Sequence, residues 1–130
     1  MYIKNIYIME YVYNSTLESP EIKINLETGL FEFSGRSVMY YPQIFYRPIL
    51  DILSNYSCNS FHLVLTIDYL NSTSVKYFLL ILKKIESYNL DVKVDWYYDS
   101  DDDDIEYLGY YLSSLFESFK FNFIAINEKD

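Results

Sequence analysis

The most constraining feature of this chain is an alternation that begins at Phe61. A β-prone run over residues 61–70 leads into the polar corner Asn71-Ser72-Thr73-Ser74, and apolar residues then recur at helical spacing. Val75, Phe78, Leu79, Leu82 and Ile85 follow the i, i+3, i+4, i+7 pattern, with Lys76, Lys83 and Lys84 facing mainly outward, which predicts an amphipathic helix over residues 75–86. The pattern then repeats. Residues 91–98 read as a strand, Ile105, Leu108, Leu112, Leu115 and Phe116 fall at helical intervals, and residues 121–126 supply a last strand. Strands separated by helices of this length build a layered α/β sheet. The alternation within residues 61–70 is weak, as expected of a central strand covered on both faces.

Upstream the signal changes. Residues 2–13 are rich in Ile, Tyr and Val and read as extended, interrupted by turn chemistry at Asn14-Ser15-Thr16 and Ser19-Pro20. Residues 21–26 alternate polar Glu21, Lys23 and Asn25 with apolar Ile22, Ile24 and Leu26, and residues 30–34 follow the Glu27-Thr28-Gly29 turn, so the two segments are expected as a hairpin. Ile44, Phe45, Ile49, Leu50, Ile52 and Leu53 predict a helix that runs to Tyr56, with Pro48 disturbing its early part. The expected fold is α/β: a mixed sheet with an N-terminal hairpin and about three helices packed on it, residues 1–130 forming one domain.

Composition narrows the function. The chain has 130 residues, 51% of them hydrophobic and 20% aromatic, too apolar for disorder and long enough to bury a core. A formal charge of −9 argues against nucleic acid and membrane surfaces as ligands and favours a basic protein patch. Cys58 is the only cysteine, which rules out an internal disulfide and any cysteine-based zinc cluster and is compatible with a reducing cytoplasm. No export or spanning segment is visible in the sequence.

Few residues are arranged for catalysis. His62 is the only histidine and lies inside a predicted strand, with no nucleophile-elbow sequence in the chain. There is no Walker sequence and no G-x-G-x-x-G. Trp96, Tyr97 and Tyr98 read most simply as the end of a core strand. The carboxylates of Asp99, Asp101, Asp102, Asp103, Asp104 and Glu106 could supply oxygens to a divalent cation in a metal-dependent enzyme. They lack calcium-loop spacing, however, and fit better as a solvated group that complements a helix N-terminus or docks a basic partner. The corner at Asn71, Ser72, Thr73 and Ser74 needs only one side chain to cap a helix, so spare hydroxyls remain on the sheet edge where α/β folds place function. A phosphate there would meet the positive end of the helix dipole, with Lys76 one turn on. Spacing alone still favours simple capping.

The combination of Tyr69-Leu70-Asn71-Ser72-Thr73-Ser74-Val75-Lys76, Ile81-Leu82, Val94-Asp95-Trp96-Tyr97-Tyr98-Asp99 and the following aspartates resembles the SiaC family of bacterial regulatory phosphoproteins. The resemblance continues through residues 16–21, Glu27-Thr28-Gly29, Phe33-Ser34-Gly35, Pro48-Ile49-Leu50 and residues 121–126. It implies a fold like that of STAS and anti-sigma-factor-antagonist domains and a non-enzymatic, cytoplasmic partner-switching role with no cofactor and no metal. It further implies a hydroxyl phosphorylated by a Ser/Thr protein kinase and released by a SpoIIE-like phosphatase. The unphosphorylated form would bind and activate a diguanylate cyclase, and so regulate cyclic-di-GMP output and biofilm formation. An anti-sigma-factor antagonist that binds a kinase-like anti-sigma factor is the alternative. The family threonine aligns with Ser72, and Thr73 stands where the family usually has serine, so Ser72 is the expected acceptor with Thr73 as the alternative. Leu70, Asn71, Ser72, Thr73, Ser74 and Lys76 are the expected partner-binding residues.

Overall fold

The computed structural model describes residues 9–127. Its elements in chain order are β1 (Glu10–Tyr13), β2 (Glu21–Asn25), β3 (Leu30–Ser37), α1 (Pro42–Leu53), β4 (Ser60–Leu70), α2 (Ser72–Glu86), β5 (Asp91–Asp99), α3 (Asp103–Leu115) and β6 (Phe119–Ile126). The strands form one mixed sheet in the order β1-β2-β3-β4-β5-β6. β1, β2 and β3 are antiparallel neighbours, and β3 to β6 run parallel. The expected hairpin is therefore β2–β3, extended by β1. Of the extended reading over residues 2–13, residues 2–8 lie outside the described residues.

Local chemistry explains several boundaries. Gly29 has φ of +83°, and a Cβ there would collide with the Ser60 carbonyl oxygen, so the β2–β3 turn requires glycine. The Asn25 side chain accepts from the backbone N–H groups of Glu27 and Thr28 and shapes the same turn. Pro42 occupies the first helical positions of α1, where a missing N–H costs nothing, and the helix continues through Pro48. It ends at Leu53, short of Tyr56, whose ring packs on Tyr88 with centroids 4.3 Å apart.

Each parallel strand is added beside the previous one, so right-handed crossovers carry all three helices to the same face. Phe33, Leu65, Trp96 and Phe123 are level on neighbouring strands and share that face. Phe33 meets Phe78 of α2 edge-on at 5.5 Å, and Trp96 Nε1 donates to the Ile105 carbonyl of α3 at 3.1 Å. Tyr13, on the same face through its pairing with Ile22, meets Phe45 of α1 at 5.8 Å. This corrects the expectation that residues 61–70 are covered on both faces. Phe61, Leu63, Leu65 and Ile67 are buried, whereas His62, Val64 and Thr66 look out from the face that carries no helix among the described residues. Two-sided cover needs a reversal of strand order, and this order runs straight through. Among the described residues no helix is long and apolar enough to cross a membrane.

Candidate functional site

The carboxyl ends of β3, β4 and β5 lie at one end of the sheet, each leading into a helix. Open α/β sheets present ligand-binding loops at this end. The β4–α2 connection is a single residue, Asn71. Its backbone is extended and its Oδ1 accepts from the Ser74 backbone N–H at 2.9 Å, which makes it the N-cap of α2. Its Nδ2 donates to the Met39 carbonyl at 3.3 Å, and its backbone N–H donates to the Ser37 carbonyl at 3.0 Å. The corner is thus tied to the β3–α1 connection as well as to its own helix.

Beneath the corner lies a buried chain of hydroxyls. Tyr46 OH donates to Ser37 Oγ at 2.7 Å, and Ser37 Oγ donates to Ser74 Oγ at 2.7 Å. All three residues have 0% exposure. The relay joins α1, β3 and α2 at one point, and each buried hydroxyl finds a partner there, as burial requires. Burial pushes the Tyr46 phenol up to about 12, with the Ser37 hydrogen bond a smaller, opposing effect.

The three neighbouring hydroxyls therefore have three different fates. Ser74 is buried in the relay. Thr73 is exposed, with Oγ1 donating to Asn71 Oδ1 at 3.3 Å. Ser72 is exposed, and no side-chain hydrogen bond engages it among the described residues. Lys76 is exposed one turn on, its Nζ 5.8 Å from the Tyr77 ring centroid. Leu70 is only 8% exposed. Leu70 and Ser74 therefore support the corner from below, and its surface consists of Asn71, Ser72, Thr73 and Lys76. Ser74 was missed as a buried residue; its spacing from positions 78, 81, 82 and 85, which share the buried face of α2, is the signal that could have found it. Ser37 and Tyr46 had no such signal, since Ser37 meets Ser74 across 37 residues of sequence.

The acidic segment forms the next junction. Asp102 caps α3 by accepting from the Ile105 N–H at 3.1 Å, and Asp99 Oδ1 accepts from the Asp101 N–H at 2.9 Å. Asp103, Asp104 and Glu106 occupy the first turn of α3, where the helix dipole favours carboxylates. Glu106 also accepts from Tyr98 OH at 2.9 Å, and that hydrogen bond, followed by burial, raises the phenol above its ordinary range. Asp99, Asp101, Asp102, Asp103 and Asp104 line one open hollow, but among the described residues no group of three or more His, Cys, Asp or Glu side chains is arranged to hold a metal ion. His62 Nε2 pairs with Asp95 Oδ2 at 2.7 Å on the open sheet face, and no hydroxyl is bonded to the ring among the described residues.

Comparison with known proteins places this geometry in context. A family model described as SiaC family regulatory phosphoprotein matches residues 13–126. A search of curated proteins returns no match. Among solved structures, a chain in the crystal structure of diguanylate cyclase SiaD in complex with its activator SiaC from Pseudomonas aeruginosa aligns with a TM-score of 0.77 at 20% identity, covering 89% of this chain and 99% of that one. The crystal structure of apo-SiaC from Pseudomonas aeruginosa aligns with a TM-score of 0.73 at 20% identity, covering 91% and 100%. A further structure, SiaC of Pseudomonas aeruginosa, gives 0.72 at 19% identity, covering 92% and 100%.

Proposed function

This chain belongs to the SiaC family of regulatory phosphoproteins, and from that premise we propose that it is a non-enzymatic partner switch whose acceptor is Ser72. The observation that carries the assignment is the contrast among the corner hydroxyls. Ser72 alone is both exposed and unengaged, while Thr73 is bonded to the cap and Ser74 is buried. A Ser/Thr kinase would transfer the terminal phosphoryl group of a nucleoside triphosphate to Ser72 Oγ, its base taking the hydroxyl proton as the diphosphate leaves. A metal-dependent, SpoIIE-like phosphatase would return the hydroxyl by hydrolysis.

The modified residue sits at the first position of a helix with no acidic side chain in its first turn, so about two negative charges can be accommodated without unfolding. Lys76 is one turn away on the same face. The charge therefore acts on a partner by repulsion and desolvation. The effector we infer is a diguanylate cyclase bound by the unphosphorylated form in the cytoplasm. Family membership and the similarity to a chain from the complex of SiaD with its activator support this reading.

Labelling with the kinase tests the acceptor: the wild type and Thr73→Ala should take up phosphate, and Ser72→Ala should not. Ser72→Ala should still bind and activate the cyclase. Labelling of Ser72→Ala but not of Thr73→Ala would move the acceptor by one residue, and a cyclase indifferent to wild-type protein would sink the effector assignment.

A further inference from the structure

The hydrogen bonds that seat Asn71 also determine what stands beside the acceptor. Asn71 holds Ser37 and Met39 through their carbonyls, and Val38 donates its N–H to the Glu18 carbonyl at 2.8 Å, so the β3–α1 connection is pinned between the acceptor corner and the β1–β2 loop. Immediately after this pinned segment the chain exposes Tyr40 at 91%, Tyr41 at 66% and Ile44 at 75%. With half-buried Tyr13 and Phe45, and with Glu18, they line an open groove. Solvating three large side chains side by side is unfavourable, and such clusters mark docking sites.

Charge indicates what kind of partner fits. Among the described residues Glu18 is the only charged residue lining the groove; Arg36, whose Nε donates to the neighbouring Leu17 carbonyl at 2.8 Å, Arg47 and Lys76 are exposed but do not line it. The exposed carboxylates of Asp103 and Asp104 lie at the same end of the sheet, beyond α2. The corner that carries Ser72 and Lys76 thus lies between the apolar groove on one side and the acidic start of α3 on the other. We propose that the groove receives an apolar segment of the effector protein, whose basic residues reach Glu18 and the acidic start of α3. This inference rests on the switch reading above and extends it by naming a second contact region and the chemistry of the partner.

The two contributions differ kinetically. Apolar anchors act mainly on dissociation, and exposed charges act mainly on association and its salt dependence. The test measures binding of the full chain to the full-length cyclase at low and high salt, with thermal melts to check the fold. Ile44→Asp and, separately, Tyr40→Ala should speed dissociation by about tenfold or more at either salt concentration. Asp103→Asn combined with Asp104→Asn should slow association at low salt only. If both groove variants bind as the wild type does while Ser72→Asp binds poorly, the groove inference is overturned and the switch stands. If sedimentation shows that the groove variants abolish self-association and leave cyclase binding intact, the occupant is a second copy and the inference is likewise overturned. If the wild type does not bind the cyclase, the functional reading fails and this inference fails with it.

Discussion

Two strand-to-helix junctions at the same end of the sheet solve one problem in opposite ways. Both place an Asx side chain at the N-cap: Asn71 accepts from the N–H three residues on in α2, and Asp102 does the same in α3. The first turn of α3 then carries Asp103, Asp104 and Glu106, whereas that of α2 carries no acidic residue. The positive end of the α3 dipole is permanently compensated, while that of α2 is left open beside neutral hydroxyls. The supports differ as well. α3 is seated by close packing, with Gly109 against the Trp96 ring, and α2 by the Tyr46–Ser37–Ser74 relay. One junction holds charge in its first turn, and the other holds no acidic side chain there.

The largest expected effect tests the packing half of this contrast. A Cβ on Gly109 would lie 2.5 Å from Trp96 Nε1, and the indole is fully buried and cannot retreat. Gly109→Ala should destabilise the fold by about 1–3 kcal/mol in urea denaturation, the range for overpacked cores. An unchanged midpoint would mean that α3 is not seated by this contact.

The relay is tested by alkaline pH. Tyr46 is an acid whose folded pKa is raised from 10.0 to about 12, so the fold favours its neutral form. That stabilisation is fully present below pH 10 and is lost as pH rises from 10 to 12. The loss should be on the order of 2 kcal/mol for Tyr46, beyond what the other tyrosines contribute. Tyr46→Phe should cost about 1 kcal/mol at neutral pH through the lost hydrogen bond and flatten this part of the alkaline decline. Stability curves of the two proteins that remain parallel from pH 9 to pH 12 would show that the buried phenol is not linked to folding.

The two junctions were not equally legible in the sequence. The polar corner at residues 71–74 and the acidic run before Ile105 could be read as helix starts because each precedes apolar residues at helical spacing, and the Ile22, Ile24, Leu26 alternation announced the β2 strand of the hairpin. The open sheet face could not be read, because the side that the helices cover depends on strand order, which no single segment encodes. His62, Val64 and Thr66 are half-buried and chemically mixed, so their strand resembled one covered on both faces. In the same way, four adjacent polar residues concealed the inward turn of Ser74, whose partner Ser37 comes from a distant strand.

A smaller effect compares the caps. Asn71→Ala and Asp102→Ala should each cost about 1 kcal/mol for the lost cap. Asn71→Ala should cost more, because it also releases the Met39 carbonyl. Amide exchange should then quicken at the start of α1 as well as of α2, while Asp102→Ala should affect only α3. Equal, purely local responses would mean that the Asn71 corner is not tied to its neighbour.

The smallest effect is the most discriminating. Ser72→Asp puts a carboxylate into the one first turn of the pair that has none, and this should stabilise the fold by about 0.3–1 kcal/mol at low salt, fading as salt screens the dipole. Asp104→Ser, the reverse change in α3, should cost no more than a few tenths of a kcal/mol, because Asp103 and Glu106 continue to compensate that helix. If Ser72→Asp raises the melting temperature while weakening effector binding, the added charge acts at the contact surface and not through loss of structure. If it lowers stability and binding together, the open dipole of α2 is not a receptor for charge, and the proposed switch would have to work by disturbing the corner itself.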